Sequence, residues 1–257
     1  MVPRPFLTTA SRTSAGCLAA LVVPAVLAAL AASLSACGHE GPSQRPHDEQ
    51  GSPGAHAKTE PFVYVALGDS TGAGVGAEAG KGYVDRIFAH LVEARPGSRL
   101  VNLSVSGATT ADVLRVQLQP MREAHATLAT LGVGVNDLRG GVPLEQFAIN
   151  YDQIVASLVE SVDGPVILQN LPDGSLAPVV PASYRDTVHR KALFLNERIS
   201  TVARLHAVPL VDLFTTSEVE APGHPELFSA DGFHPSELGY ARWADAVWPA
   251  VQGAAGI

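Results

Sequence analysis

Four short stretches of this chain carry groups able to act on one another: Gly68-Asp69-Ser70, the turn at Gly107, the turn at Asn136, and Asp231-Gly-Phe-His234-Pro235. A serine hydroxyl attacks a carbonyl only when a base takes its proton. An imidazole does this best when a carboxylate orients its other ring nitrogen. Ser70 could be such a nucleophile, and His234 has a carboxylate at short range in Asp231, three residues back across a glycine-containing turn. A developing oxyanion also needs preorganised donors. Gly107 offers a backbone N–H with no Cβ in the way, and Asn136 offers a side-chain amide. Each piece alone has a plain reading: an Asx turn at Gly68-Asp69-Ser70, an Asp-Gly turn before a helix at 231–235, and ordinary turn chemistry at Gly107 and Asn136.

The elements around these stretches must bring them to one place. Val63-Tyr-Val-Ala-Leu is an apolar, β-branched run that reads as a buried strand ending at Ser70. In an open parallel sheet, ligands bind just beyond the carboxyl ends of the strands. Further strands are expected over 99–103, 127–133, 166–168 and 208–213. Helices are expected over 82–94, with Tyr83, Ile87, Leu91 and Val92 on one face, and from Thr110 onward. A long helix after Pro143 turns Leu144, Phe147, Tyr151, Ile154 and Leu158 inward, and two more span 184–206 and 236–251. Strands alternating with helices give a parallel sheet covered on both faces. The intervening stretches 171–186 and 214–228 then fall at the carboxyl edge as long loops and are candidate specificity segments. Within the first, Leu176, Val179 and Val180 either line an acyl pocket or pack the loop.

Composition narrows the function classes. With 257 residues, 46% of them hydrophobic, the chain can bury a full core as one α/β domain after a leader. Its formal net charge of −8 argues against nucleic acid as a partner. The glycine-rich stretch Gly74-Val-Gly76-Ala-Glu-Ala79 has a loose dinucleotide-binding form. The second strand ends at Asn102-Leu103, however, without the acidic residue that would hold a ribose. Both cysteines lie early, at 17 and 37, so no disulfide holds the domain together.

Arg4 and Arg12 precede an apolar run over 15–36, the charge-then-apolar order of an export signal. The run ends in Leu34-Ser35-Ala36-Cys37-Gly38, which resembles the bacterial lipobox, where the cysteine becomes the lipid-modified first residue. The expected organisation is a signal peptide over 1–36, a lipidated Cys37 with a disordered tether over 37–61, and a domain over 62–257, held to the outer side of a membrane. An uncleaved anchor is the alternative, since the run is also long enough to span a bilayer. The tether's His39, His47 and His56 are too irregularly spaced to suggest a metal site.

Taken in order, Gly68-Asp69-Ser70, Asn102-Leu-Ser-Val-Ser106-Gly107, Gly134-Val-Asn136-Asp137 and Asp231-x-x-His234-Pro235 resemble the four blocks of the SGNH (GDSL-type) hydrolase family. The resemblance covers nearly all of 62–251. It implies a flavodoxin-like three-layer α/β/α sandwich with a five-stranded parallel sheet. It also implies Ser70 as nucleophile, His234 as base, Asp231 as its orienter, and an oxyanion hole made of the Ser70 and Gly107 N–H groups and the Asn136 side chain. Two departures are visible: Thr71 stands where the family name has Leu, and Ser104 replaces a glycine common in the second block. Asp69 and Asp137 read as structural, bonding nearby backbone N–H groups. The activity implied is that of an exported serine esterase working through an acyl-enzyme, with no metal and no cofactor. Its substrate would be a small-molecule or lipid ester, thioester or lysophospholipid. Alternatives are a sugar O-acetyl esterase or acyltransferase, and a glycan- or lipid-binding lipoprotein without turnover.

Overall fold

The computed structural model of the protein describes residues 60–257. The leader, Cys37 and nearly all of the tether lie outside the described residues. The first strand, β1 (Val63–Gly68), is buried along almost its whole length, with Tyr64, Val65, Ala66 and Leu67 excluded from solvent. A strand buried on both faces is what a continuous apolar run produces in a parallel sheet. It is followed by α1 (Tyr83–Ala94), β2 (Arg99–Asn102), β3 (Leu128–Gly132), β4 (Val166–Gln169) and the two-residue β5 (Leu210–Val211). All four pairings are parallel and the strand order is β2-β1-β3-β4-β5, the flavodoxin-like order.

Between β2 and β3 the chain forms α2 (Thr110–Asp112), a π-helical turn (Val113–Gln117) and α3 (Leu118–Glu123). Next come α4 (Val135–Gly140), α5 (Leu144–Ser161), α6 (Ala182–Leu205), α7 (Leu213–Glu220) and α8 (Glu237–Ala255). On one face of the sheet Leu67 and Leu131 pack with Phe147, Tyr151 and Ile154 of α5 and Ile199 of α6. On the other, Tyr64 and Leu128 pack with Tyr83 and Ile87 of α1 and Tyr240 and Val247 of α8. Two cores on one sheet make the three-layer sandwich. Among the described residues no helix is long and apolar enough to cross a membrane.

The expected helices and strands are present, with differences at their margins. Leu144 and Val92, expected to face inward, are each more than a third exposed, because each lies at the edge of its helix's apolar stripe. The two carboxyl-edge stretches are not simple loops. The first contains a 3-10 turn (Gly174–Leu176) and the start of α6, and the second is largely α7 with a 3-10 turn (Pro225–Leu227). In α7 the buried side chains are the adjacent Leu213 and Phe214, so no helical period marks it in the sequence.

Candidate active site

Ser70 leaves β1 as the first residue of a tight turn, nearly buried, with its carbonyl accepting from the Val75 N–H. The backbone below it is clamped sideways. The Gln117 side chain accepts from the Gly68 N–H at 3.0 Å and donates to the Gly68 carbonyl at 2.8 Å, so an amide stands in for a neighbouring strand. Gly68 itself has no room for a side chain: a Cβ would stand 2.5 Å from the Gly132 carbonyl oxygen. Beyond the turn, the Tyr240 hydroxyl of α8 donates to the Val75 carbonyl at 2.7 Å. The glycine-rich stretch is therefore a steric device rather than a phosphate cradle. Gly76, at φ +101, passes directly against the His234 loop.

The distant Asp231–Pro235 stretch closes over Ser70. His234 Nε2 lies 2.9 Å from Ser70 Oγ, and His234 Nδ1 lies 2.6 Å from Asp231 Oδ2. The other carboxylate oxygen, Asp231 Oδ1, accepts from the Ser229 hydroxyl at 2.8 Å and from the backbone N–H groups of Phe233 and His234 at 2.8 and 2.9 Å. Partial burial pushes the Asp231 carboxyl up, but the His234 ring and these three donors pull harder and hold it well below the usual carboxylate range. An ionised Asp231 keeps the imidazole proton on Nδ1 and leaves Nε2 free to take the proton of Ser70.

The donors expected of an oxyanion hole come from β1, β2 and β3. Neither the Ser70 nor the Gly107 N–H has a hydrogen-bond acceptor among the described residues. Gly107 adopts φ +83, and a Cβ there would meet nothing within 4 Å, so the backbone conformation rather than space requires glycine. Asn136, placed by the sequence in the turn that leaves the third strand, sits in the first turn of α4, and its Nδ2 donates to the Ala108 carbonyl at 3.0 Å. One of its two N–H bonds is thus spent tying the Gly107 loop to α4, and the second has no acceptor among the described residues.

Asp69 and Asp137 are structural, as expected, though Asp137 reaches across the fold. Asp69 Oδ1 accepts from the Thr71 N–H at 3.0 Å and the Thr71 hydroxyl at 2.9 Å, while burial pushes its carboxyl up to about 6. Asp137 accepts from the N–H and the hydroxyl of Thr110, and Asn150 of α5 donates to the same hydroxyl. This network fixes α2, α4 and α5 to one another beneath the Gly107 loop.

Four groups that serve the site were not legible in the sequence: Gln117, Thr110, Tyr240 and the pair His189–Asp173. None lies in a motif, and each acts on a partner at least 16 residues away. His189 Nδ1 is 2.7 Å from Asp173 Oδ2, which raises the imidazole pKa. With Glu218 these two residues form a group of potential metal-ligand atoms within 4.8 Å of one another. Asp173 also lines a cavity of about 550 Å³ that opens beside His234 and Asp231. Its walls are mostly apolar, with Leu171, Leu176, Val180, Leu213, Phe228 and Trp243 among them, and Val179 lies at its rim, more than half exposed.

A flavodoxin-like sheet with a serine, a histidine and an aspartate linked across its carboxyl edge defines a class of hydrolytic enzyme. The sequence of residues 66–242 matches the model of the GDSL-like Lipase/Acylhydrolase family, and the chain belongs to that family of ester-hydrolysing serine hydrolases. Esterase TesA of Pseudomonas aeruginosa is 27% identical over 191 residues, spanning 73% of this chain and 87% of that protein. A crystal structure of TesA superposes with a TM-score of 0.60 at 25% identity, covering 74% of this chain and 98% of the other. The acetylxylan esterase Axe2 of Geobacillus stearothermophilus shares the fold, with a TM-score of 0.63 at 20% identity, over 76% of this chain and 96% of that one.

Proposed function

We propose that this enzyme hydrolyses carboxylic esters carrying an acyl chain longer than acetyl, through an acyl-enzyme on Ser70. The observation that carries the reading is the unbroken chain of hydrogen bonds from Asp231 through His234 to Ser70. In this mechanism His234 takes the Ser70 proton as Oγ attacks the ester carbonyl. The oxyanion is held by the Ser70 and Gly107 N–H groups and the uncommitted N–H of Asn136. His234 then returns the proton to the departing alcohol. Water, deprotonated by the same imidazole, releases the acid.

The cavity supports the acyl chain as the part of the substrate that is sequestered. Its volume, about 550 Å³, falls in the range of pockets that bury a whole small ligand, and Leu176 and Val180 stand in its wall. Each buried methylene contributes about 0.8 kcal/mol, close to fourfold in kcat/KM. A series of nitrophenyl esters should therefore show kcat/KM rising steeply from acetyl to octanoyl. Leu176→Trp should move the optimum to shorter chains. Ser70→Ala should abolish both turnover and labelling by an alkyl phosphonate. A profile flat in chain length would remove the acyl assignment, and a turning-over Ser70→Ala enzyme would remove the triad.

For the amino terminus the reading is export and lipid attachment at Cys37, supported by Leu34-Ser35-Ala36-Cys37 after an apolar run. Residues 37–61 then act as a tether to a membrane. Cys37→Ser expressed in a bacterial host should lose lipid labelling and membrane fractionation. Labelling that persists in that variant would refute the assignment.

A further inference from the structure

We propose that Arg139 is a specificity-determining residue that selects esters whose alcohol portion carries an anion, with phosphate the probe of choice. The inference rests on the assignment of Ser70 and His234 above and adds to it the chemistry of the leaving group.

Eleven arginines lie among the described residues, and most are committed within the protein. Arg86, Arg95, Arg99 and Arg185 donate to backbone carbonyls, Arg122 and Arg204 to hydroxyls, and Arg115 and Arg190 pair with carboxylates. Arg139, Arg198 and Arg242 make no hydrogen bond or ion pair with any described residue, and two of these three, Arg139 and Arg242, line the cavity beside His234. Of the carboxylates on the same lining, Asp69, Asp173 and Asp231 accept hydrogen bonds from neighbouring protein groups, and Glu220 makes none with any described residue. The two arginines therefore present charge and donors that the fold does not use.

Of the two, Arg139 is placed by its contacts. It lies on α4 three residues after Asn136, and its guanidinium sits 5.6 Å from the centre of the Phe233 ring. That ring in turn meets the His234 imidazole edge-on, centroids 5.1 Å apart. A contact with an aromatic face engages the charge of a guanidinium but none of its five N–H donors. His234 must deliver its proton to the departing alcohol, so the alcohol portion of the substrate lies beside this imidazole. Arg139 stands one aromatic ring away from this imidazole, at the exposed margin of the cavity whose apolar walls take the acyl chain, with a donor fork that matches two phosphate oxygens at once. In a chain of net charge −8, a local cation at this position offsets the repulsion an anionic ester would otherwise meet.

The test compares kcat/KM of the full-length enzyme for butanoyl and decanoyl esters of glycerol with the same esters of glycerol 3-phosphate. The ratio of anionic to neutral substrate should fall at least tenfold in Arg139→Gln, recover in part in Arg139→Lys, and stay as in the wild type in Arg198→Gln. Added salt should lower the wild-type ratio and change that of Arg139→Gln much less, a readout that displacement of Phe233 alone would not give. A preference shared by both chain lengths assigns small phosphate esters, and one confined to decanoyl assigns a lipid headgroup. The proposal is overturned if Arg139→Gln leaves the ratio within twofold of wild type, or lowers both substrate classes equally. Failure of the triad reading would appear separately, as a Ser70→Ala enzyme that still cleaves the glycerol esters.

Discussion

Gly76 and His234, 158 positions apart in the chain, are in close contact: a Cβ on Gly76 would stand 3.0 Å from the His234 Cβ and 2.5 Å from the Pro235 carbonyl oxygen. The loop that follows the serine and the loop that carries the histidine are thus pressed together through a residue without a side chain. Its φ of +101 adds a backbone reason for glycine.

Gly76→Ala should therefore act on both stability and rate. Strain at that φ and the collision with Pro235 together should cost about 1–3 kcal/mol. The push falls on the segment that sets the 2.9 Å reach from His234 to Ser70, so kcat should drop by more than the loss of folded protein explains. Melting temperature and kcat on one preparation check this, and an alanine variant with the native rate would break the link between the two loops.

Asn136 serves two partners, and its removal should separate them. Loss of the bond to Ala108 should lower stability by about 1 kcal/mol. Loss of the oxyanion donor should lower kcat about 10²–10³-fold with little change in KM. An Asn136→Ala enzyme that is destabilised but keeps its rate would confine the residue to tying α4 to the Gly107 loop.

Asp69 gives stability a pH dependence of definite sign. Burial lifts its carboxyl from the ordinary 3.8 to about 6, so between these values the folded protein binds a proton that the unfolded chain has released. Stability should accordingly fall as pH rises from about 4 to 6 and then level off. At about 1.4 kcal/mol per pH unit, the full effect is about 3 kcal/mol. Asp69→Asn should abolish this part of the profile. Chemical denaturation of both proteins at several pH values is the measurement, and parallel profiles would refute it.

His189 should add a dependence of the same sign in a higher pH window. The hydrogen bond that the ring donates to Asp173 raises the imidazole pKa, opposed in part by burial and aided by Glu218 and Asp186. A raised histidine contributes stability that is fully present below the unfolded value of about 6.5 and is lost as pH climbs through the folded value. The melting temperature difference between wild type and His189→Gln should thus be largest near pH 5.5 and shrink toward pH 9. A difference independent of pH would mean that the ring acts by packing on Phe214 alone.

Much of this protein is written locally. The apolar run before Ser70 specifies a buried strand because every residue of it must avoid water. The period of Phe147, Tyr151, Ile154 and Leu158 specifies a helix because only that spacing gathers them on one face. The bond between Asp231 and His234 spans three residues and is set by a single turn, so it too was legible. What the sequence could not show are relations between residues far apart in the chain. The 2.9 Å approach of His234 to Ser70 spans 164 positions. The clamp of Gln117 on Gly68, the Thr110–Asp137 brace and the contact of Arg139 with Phe233 likewise join separate elements. They arise only when strands β2-β1-β3-β4-β5 line up and bring every carboxyl-end loop to one edge. Local spacing fixes which face a side chain takes on its own helix or strand. Which other element that face meets is decided by packing the whole sheet.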